Sequence, residues 1–321
     1  MNKEYPKAFA IYNNDLEVRM KSTSGGMFSA LAEYFITQKH AIVYGAAYDD
    51  SFNVVHTRIV ELEDISLLRG SKYPQSSLGT TYKNVKNDLE FGYSVFFVGT
   101  PCQVVGLKRF LNNRNIENLY TMDFICHGVA SQLIWQSYIK EFAKKKPIQN
   151  VIFKSKPYGW KKWYFRVEFY DGSFYHIRGS MNRFMASFLS YVNVRPSCYE
   201  CQFKGLSRIS DFTISDCWGI GEENKKLNDN KGLSALLIHN QRAENIFDTI
   251  RYQTTYQEYE PQTLMQGNWT TFKSVPRNPI RDEFFFSVLD IGPSKSLKKY
   301  FTPPLKEWLR YYYMKFIGLE K

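Results

Sequence analysis

The sequence lacks any run of about 18 apolar residues, so no segment is built to cross a bilayer as a helix. It contains neither a Walker A loop nor a GxGxxG fingerprint, which removes two common phosphate-binding signatures. Zinc-finger, RRM and KH patterns are missing, as is any long Lys/Arg block, and no nucleic-acid partner is expected. Repeats and low-complexity tracts are absent as well. The opening residues, Met1-Asn2-Lys3-Glu4-Tyr5-Pro6, have no apolar core of a signal peptide, so the expected location is the cytoplasm. Cysteine is scarce, with five in 321 residues and none before Cys102. In a reducing compartment so few thiols point to metal or redox chemistry rather than a disulfide framework.

The length suggests roughly two domains, and a hydrophobic share of 44% is enough to fill their cores. The 23 Tyr and 25 Phe offer flat partners for a large cofactor or a sugar. A formal charge of +11 suits an anionic partner without saying which: by charge alone nucleic acid, acidic lipid, a phosphorylated substrate or an acidic electron carrier would each satisfy it. A merely solubilising surface is the plain alternative.

The chain is organised around Ser94-Val95-Phe96-Phe97-Val98-Gly99-Thr100-Pro101-Cys102-Gln103. An apolar strand ends in a Gly-Thr-Pro break, and a helix follows with Val104, Leu107, Lys108 and Leu111 at helical spacing. Cys102 then sits at a helix N-terminus, where exposed amides and the dipole favour a thiolate. One βα unit later the pattern recurs. Leu119 to Ile125 is a strand, Cys126-His127-Gly128 the break, and Ser131 the expected cap of the next helix. Two successive strands thus carry a cysteine to the carboxyl edge of a sheet, where open α/β folds bind ligands. Cys198-Tyr199-Glu200-Cys201 adds a close pair of the kind metal sites use.

Upstream, strand Ala8–Tyr12 precedes Lys21-Ser22-Thr23-Ser24-Gly25-Gly26, a small-residue loop that opens a helix and suits a phosphate; a capped helix start is the plain reading. Ala41–Tyr48 and Val54–Val60 read as paired strands. In the polar loop that follows, Lys72, Tyr73, Gln75 and Ser76 could hold a flavin's phosphates, ribityl chain or ring, or simply connect elements. Beyond Gln149 come alternating strands with a hairpin at Asp171-Gly172, the cysteine pair, the segment Arg208–Gly219, a charged loop over 222–231, a buried strand Leu233–His239 and a helix Gln241–Ile250. From Arg281 the tail is helical, aromatic and basic. Leu305, Trp308, Leu309, Tyr312 and Phe316 share one face, which docks on the body or lies on a membrane surface.

The expected fold class is α/β, with α+β elements in the second half. A parallel-type sheet covered by helices is followed by a smaller mixed domain that holds the cysteine pair. The expected division is 1–148, 149–275 and a tail 276–321. Four-cysteine zinc sites are usually built from two close pairs, whereas here one pair joins two lone cysteines on separate βα loops. That assembly suits an iron–sulfur cluster, although ligand softness alone leaves cluster, zinc and no metal all open.

Six ordered motifs are Lys21–Gly26, Arg69-Gly70-Ser71-Lys72-Tyr73, Gly99–Gln103, Phe124–Gly128, Arg195-Pro196-Ser197-Cys198 with Cys201, and Ser210-Asp211 through Trp218-Gly219. Together, over residues 7–250, the chain resembles the coenzyme F420 hydrogenase/dehydrogenase beta-subunit family. The resemblance implies a flavoprotein oxidoreductase with FAD beside a 4Fe–4S cluster, moving electrons between a ferredoxin-type partner and an organic acceptor. It implies Cys102, Cys126, Cys198 and Cys201 as cluster ligands. Ser22, Thr23, Ser24, Gly25, Gly26, Ser71, Lys72, Tyr73, Gln75, Ser76, Gly99, Thr100, Pro101 and Gln103 are its candidate flavin contacts. Lys72 and His127 are the candidate catalytic residues; His127 would donate a proton to substrate or hydrogen-bond a cluster sulfur. Tyr158-Gly159-Trp160-Lys161 is a candidate substrate-side loop. Many bacterial relatives sit among polysaccharide-synthesis functions, which suggests a small anionic, sugar-linked substrate. Relatives also often begin with a ferredoxin-like domain. With no cysteine before Cys102, this chain is expected to take electrons from a separate protein. Cys217 replaces an aromatic residue and reads as packing. The rival reading is a zinc-stabilised, non-redox binding or scaffold protein.

Overall fold

The protein is described by a computed structural model covering residues 4–112, 116–220, 224 and 226–316, with the backbone alone at 315 and 316. Among the described residues the strands are β1 (Lys7–Asn13), β2 (Ile42–Tyr48), β3 (Val54–Ile59), β4 (Val95–Val98), β5 (Leu119–Phe124), β6 (Ile148–Ser155), β7 (Tyr164–Phe169), β8 (Phe174–Arg178), β9 (Phe212–Asp216), β10 (Ser234–Ile238) and β11 (Thr254–Tyr259). Contacts divide the chain into two compact units that do not follow chain order. One comprises 1–72, 76–127 and 200–274; the other comprises 73–75, 128–199 and 275–321.

The first unit holds an eight-stranded sheet in the order β11-β1-β10-β9-β5-β4-β2-β3. Its middle is parallel: β2 with β4, β4 with β5, and β5 with β9. Both flanks are antiparallel, with β3 on one side and β10, β1 and β11 on the other. β10 is buried at every position, as suits a central strand covered on both faces. Period-two alternation along β4 sends its side chains to opposite layers. Phe96 joins Phe9, Ile11, Met122, Phe212 and Leu236 under the helices Met27–Lys39 and Gln241–Ile250. Val95 and Phe97 join Ile42, Tyr44, Val85 and Leu107 under Thr81–Glu90 and Pro101–Phe110. Phe35 stacks on Phe96 with centroids 4.2 Å apart. Burying a side chain of this size contributes about 2–3 kcal/mol, so each layer is a substantial anchor.

The second unit is built on the antiparallel sheet β6-β7-β8. Gly172, at φ +79°, supplies the left-handed turn that closes the β7–β8 hairpin. Trp135, Tyr138, Phe153, Phe165 and Phe184 form an aromatic core, with Trp135 5.0 Å from both Phe153 and Phe184. Ser131 does stand before the helix Gln132–Ala143, but its hydroxyl makes no cap bond; its amide is instead held by Asn193 Oδ1 at 3.1 Å. The tail forms the helices Arg281–Ile291, Pro293–Phe301 and Leu305–Phe316. On the last, Leu305, Leu309 and Tyr312 are open to solvent and Tyr311 is the buried residue, so the expected apolar stripe is not the docked face. The side chains of Lys315 and Phe316, and residues 221–223 and 225 of the charged loop, lie outside the described residues. No helix among the described residues is long and apolar enough to cross a membrane.

Candidate functional site

In the first unit β2, β4, β5 and β9 run one way, and β1, two antiparallel steps beyond β9, runs with them. Their carboxyl ends therefore share one sheet edge, the edge that binds ligands in open α/β folds. At that edge the turn Gly99–Gln103 follows β4, Cys126 and His127 follow β5, and Cys217–Gly219 follow β9. Gly25 is tied to the end of β1, its carbonyl accepting from the Asn13 amide at 2.8 Å. The Lys72 ammonium lies 5.5 Å from the Tyr48 ring at the end of β2. Alternation and turn chemistry carry five of the sequence-selected segments to one place.

Cys102 is the second residue of the helix Pro101–Phe110 and is exposed. Pro101 starts that helix without forfeiting a needed amide bond. Gln103 Oε1 accepts from the Thr100 amide at 2.9 Å and its hydroxyl at 3.1 Å, and the same hydroxyl is 3.0 Å from Cys102 Sγ. These contacts fix the turn that presents the thiol. Cys126 is half-buried, and its carbonyl accepts from Lys204 Nζ at 2.8 Å. The same ammonium bonds the Thr270 carbonyl at 2.8 Å, while Thr270 Oγ1 lies 3.3 Å from His127 Nε2. Half-buried Cys201 is held by Ser274, whose hydroxyl accepts from the Cys201 amide at 2.9 Å. Lys204, Thr270 and Ser274 thus pin the Cys126 and Cys201 turns. Sequence reading missed them because an isolated Lys, Thr or Ser carries no pattern of its own.

Half-buried Cys198 belongs to the second unit, where Gly128 at φ +93° lies against it. A Cβ on Gly128 would fall 3.2 Å from Cys198 Cβ and 2.6 Å from Val194 Cγ1, so only glycine fits this close approach. Cys217 differs from the other four. It is buried, and burial, with Asp216 adding to it, pushes its thiol up to about 12. No disulfide links cysteines among the described residues. Nor are three or more His, Cys, Asp or Glu side chains grouped there to hold a metal ion. Cys102, Cys126 and Cys201 in the first unit and Cys198 in the second are each accessible thiols of the donor type that iron and zinc both accept.

The candidate flavin loops are partly consumed by the fold. The Ser22 hydroxyl donates to the Val18 carbonyl at 2.7 Å and the Ser24 hydroxyl to Leu233 at 2.5 Å. The Gly25 amide donates to Ser234 Oγ at 2.9 Å, and a Cβ on Gly25 would fall 2.5 Å from the Ile11 carbonyl oxygen. That glycine lets the loop pack on the chain's own sheet. Thr23 Oγ1 accepts from the Ser71 amide at 2.8 Å and so joins the two loops. Gly26, at φ +89°, precedes the helix Met27–Lys39 without a side-chain cap, and it is buried with Met27 and Ser29 of the first turn. Gly70 has open space beside its Cα. Lys72 Nζ donates to the Arg69 carbonyl at 3.1 Å and to Leu68 and Gly70 at 3.4 Å, and burial lowers its pKa to about 7. Ser76 bonds His56 Nδ1. Tyr73 and Gln75 belong to the second unit: the Tyr73 ring packs on Phe153 and Phe188 at 5.2 and 4.8 Å, and the Gln75 amide donates to Ala130.

A buried polar network braces β5 and β9. The Asp211 carboxylate accepts from the Thr121 amide at 2.8 Å, Asn240 at 2.9 Å, and Arg242 at 2.6 and 2.8 Å. Burial pulls its pKa up, but the Arg242 guanidinium prevails and the net shift is downward. Asp123 accepts from Thr213 at 2.6 Å, yet burial still raises its pKa.

The sequence of 92–263, more than half of the chain, matches the family model for the C terminus of the coenzyme F420 hydrogenase/dehydrogenase beta subunit. The chain belongs to the coenzyme F420 hydrogenase/dehydrogenase beta-subunit family. All five cysteines fall inside the matched span. The fold agrees with a chain of the F420-reducing [NiFe] hydrogenase complex from Methanosarcina barkeri, studied there by xenon derivatization. The TM-score is 0.56 at 17% identity, covering 86% of this chain and 97% of that one. No curated protein sequence matches this chain. Family membership places it among subunits of redox enzymes related to F420 hydrogenase.

Proposed function

We propose that this protein is an iron–sulfur flavoprotein oxidoreductase that transfers electrons between a ferredoxin-type partner and a small anionic organic acceptor, in the cytoplasm. The observation that carries the reading is the contrast among the thiols. Four lie exposed or half-buried on turns with dedicated supports, and the fifth is a packed core residue. In this reading Cys102, Cys126, Cys198 and Cys201 hold a 4Fe–4S cluster. FAD is held by the Ser71–Ser76 loop and the Gly99–Gln103 turn. Bound together, the two groups would link one-electron and two-electron partners. Residues 1–148 supply the flavin loops and two cysteines, 149–275 the other pair, and 276–321 a peripheral tail.

The chain's own residues have definable tasks. Lys72, with a pKa near 7, can hold or release a proton at Nζ in neutral solution and becomes a full cation beside a phosphate. His127, fixed at Nε2 by Thr270, keeps a ring nitrogen beside the Cys126 turn. Lys204 places positive charge on that turn through the Cys126 carbonyl. The net charge of +11 favours encounter with an acidic donor protein and with an anionic acceptor such as a nucleotide-sugar in polysaccharide synthesis. The test is anaerobic stopped-flow reduction by reduced ferredoxin, NADH, NADPH and reduced coenzyme F420 under matched conditions. Fast reduction by ferredoxin is expected. Fast reduction by a nicotinamide with ferredoxin inert would overturn the donor assignment, and a colourless protein that none of them reduces would overturn the function.

A further inference from the structure

The last helix, Leu305–Phe316, meets the rest of its unit through the less apolar of its two faces. At about 3.6 residues per turn, Leu305, Trp308, Leu309, Tyr312 and Tyr313 fall on one side of it, and Glu307, Arg310, Tyr311 and Met314 on the other. The second set lines a cavity together with Lys162, Ser180 and Met181, and Tyr311 is buried there. The first set faces away from the protein. Leu305 is 73% exposed, Leu309 62%, Tyr312 59% and Tyr313 63%. Trp308 is half-buried, and its ring stacks on Tyr312 with centroids 5.9 Å apart. A surface helix of a globular protein normally turns its apolar stripe to the core. Here the stripe is left in solvent along the whole described helix, and a contiguous exposed strip of that kind marks an interaction site.

Composition, size and charge say what covers it. The stripe joins two leucines to a tryptophan and two tyrosines, whose rings are apolar and whose polar edges keep to water, the pairing favoured at a membrane–water boundary. A seam against a second copy would instead repeat Leu, Ile or Val at its buried positions. The strip is also small: it lies on one helix of 12 residues, whereas a stable protein interface takes about 20–30 residues a side. Charge supplies the sign of the partner. Exposed Lys306 and Arg310 run along the border between the two faces. Over residues 293–314 Lys295, Lys298, Lys299, Lys306 and Arg310 stand against Glu307 alone, a net +4. Anionic lipids attract such a segment, each cation near the surface adding to binding. We propose that this helix lies in the plane of an anionic phospholipid surface. Leu305, Leu309, Tyr312 and Tyr313 enter the boundary between headgroups and acyl chains, and Lys306 and Arg310 meet lipid phosphates. The docking does not depend on the redox chemistry.

The experiment sediments the full chain with phosphatidylglycerol vesicles and, separately, with phosphatidylcholine vesicles. Saturable binding to phosphatidylglycerol is expected, weaker on phosphatidylcholine and weaker as salt rises. Leu309→Glu and Tyr312→Glu should each lower the affinity about tenfold or more, and Lys306→Gln about fivefold. All three positions are exposed, so the urea midpoints should match that of the parent protein. Two controls lie in the first unit: Phe91→Glu at an exposed aromatic and Lys39→Gln at an exposed cation should leave binding within about twofold. No binding to phosphatidylglycerol vesicles overturns the proposal. So does an equal loss in Phe91→Glu or Lys39→Gln, which would mean diffuse stickiness or charge rather than this helix. A dimer in sedimentation velocity that Leu309→Glu abolishes, with no vesicle binding by the parent, would also overturn it and would give the face to a second copy.

Discussion

Replacing Lys72 by methionine should stabilise the flavin-free protein in neutral and mildly acidic solution, by an amount that shrinks as the pH rises. The Lys72 side chain is half-buried, and burial takes its pKa from 10.5 to about 7. In the unfolded chain it titrates normally. Between those two values the unfolded state binds the extra proton, so stability rises with pH across that window. The penalty is complete only below about pH 7, where the folded protein must carry the buried cation. The difference in pKa caps that penalty at about 5 kcal/mol. The carbonyls of Leu68, Arg69 and Gly70 solvate the ammonium in part, and some solvent reaches it, so about 2–3 kcal/mol is the expected gain near pH 6. Near pH 10 the gain should fall below about 1 kcal/mol. Urea unfolding of both proteins at about pH 6, 7.5 and 10 measures it. A difference that does not change with pH, or a loss of stability in Lys72→Met near pH 6, would refute the reasoning.

Three further outcomes follow from the same geometry. Single Cys→Ala changes at 102, 126, 198 and 201 should each lose iron from anaerobically purified protein. Cys217→Ala should keep it at a stability cost of about 1 kcal/mol, and iron loss in that variant would contradict its packing role. Lys204→Met leaves the Cys126 and Thr270 carbonyls without their donor and should cost about 2 kcal/mol in urea unfolding, with slower reassembly of the metal-free protein; unchanged values would show that the clamp is unimportant. Asp211→Ala removes the carboxylate that holds the Thr121 amide, Asn240 and the partly exposed Arg242, which keeps only backbone carbonyls, and should cost about 2–3 kcal/mol near pH 7. Because the folded pKa of Asp211 is lowered, its contribution is present above the unfolded value of 3.8 and is lost as the pH falls through the folded one. Acid unfolding should therefore begin at higher pH in Asp211→Asn than in the parent protein.

What could be read from the chain was local. The Val95–Val98 run and its Gly-Thr-Pro break specify a strand, a turn and a helix within sixteen residues, and the structure has all three in place. The hairpin at Asp171-Gly172 and the helix Gln241–Ile250 were equally legible, because turn chemistry and helical period act over a few residues. The insertion of β1 between β10 and β11 was not legible. Lys7 pairs with Ile238 and Ala8 with Tyr259, and no local pattern announces a partner so distant in the chain. The same limit applies at the site. Cysteines at break positions signal chemistry through their residue type, whereas Lys204, Thr270 and Ser274 act through backbone contacts that only the fold creates. The Ser22–Gly26 loop shows the reverse case. Its composition suggested a phosphate cradle, yet Ser22, Ser24 and Gly25 each have a bond inside the protein, and Gly26 is buried beside them.

The central claim is that four particular thiols and the loops beside them hold a cluster and a flavin. The direct measurement is quantification of iron, acid-labile sulfide, flavin and zinc on one anaerobically purified sample. The account predicts about four iron, about four sulfide and about one FAD per chain, with zinc well below stoichiometric. One zinc per chain with neither iron nor flavin would contradict it and would make the protein a zinc-stabilised, non-redox member of its family.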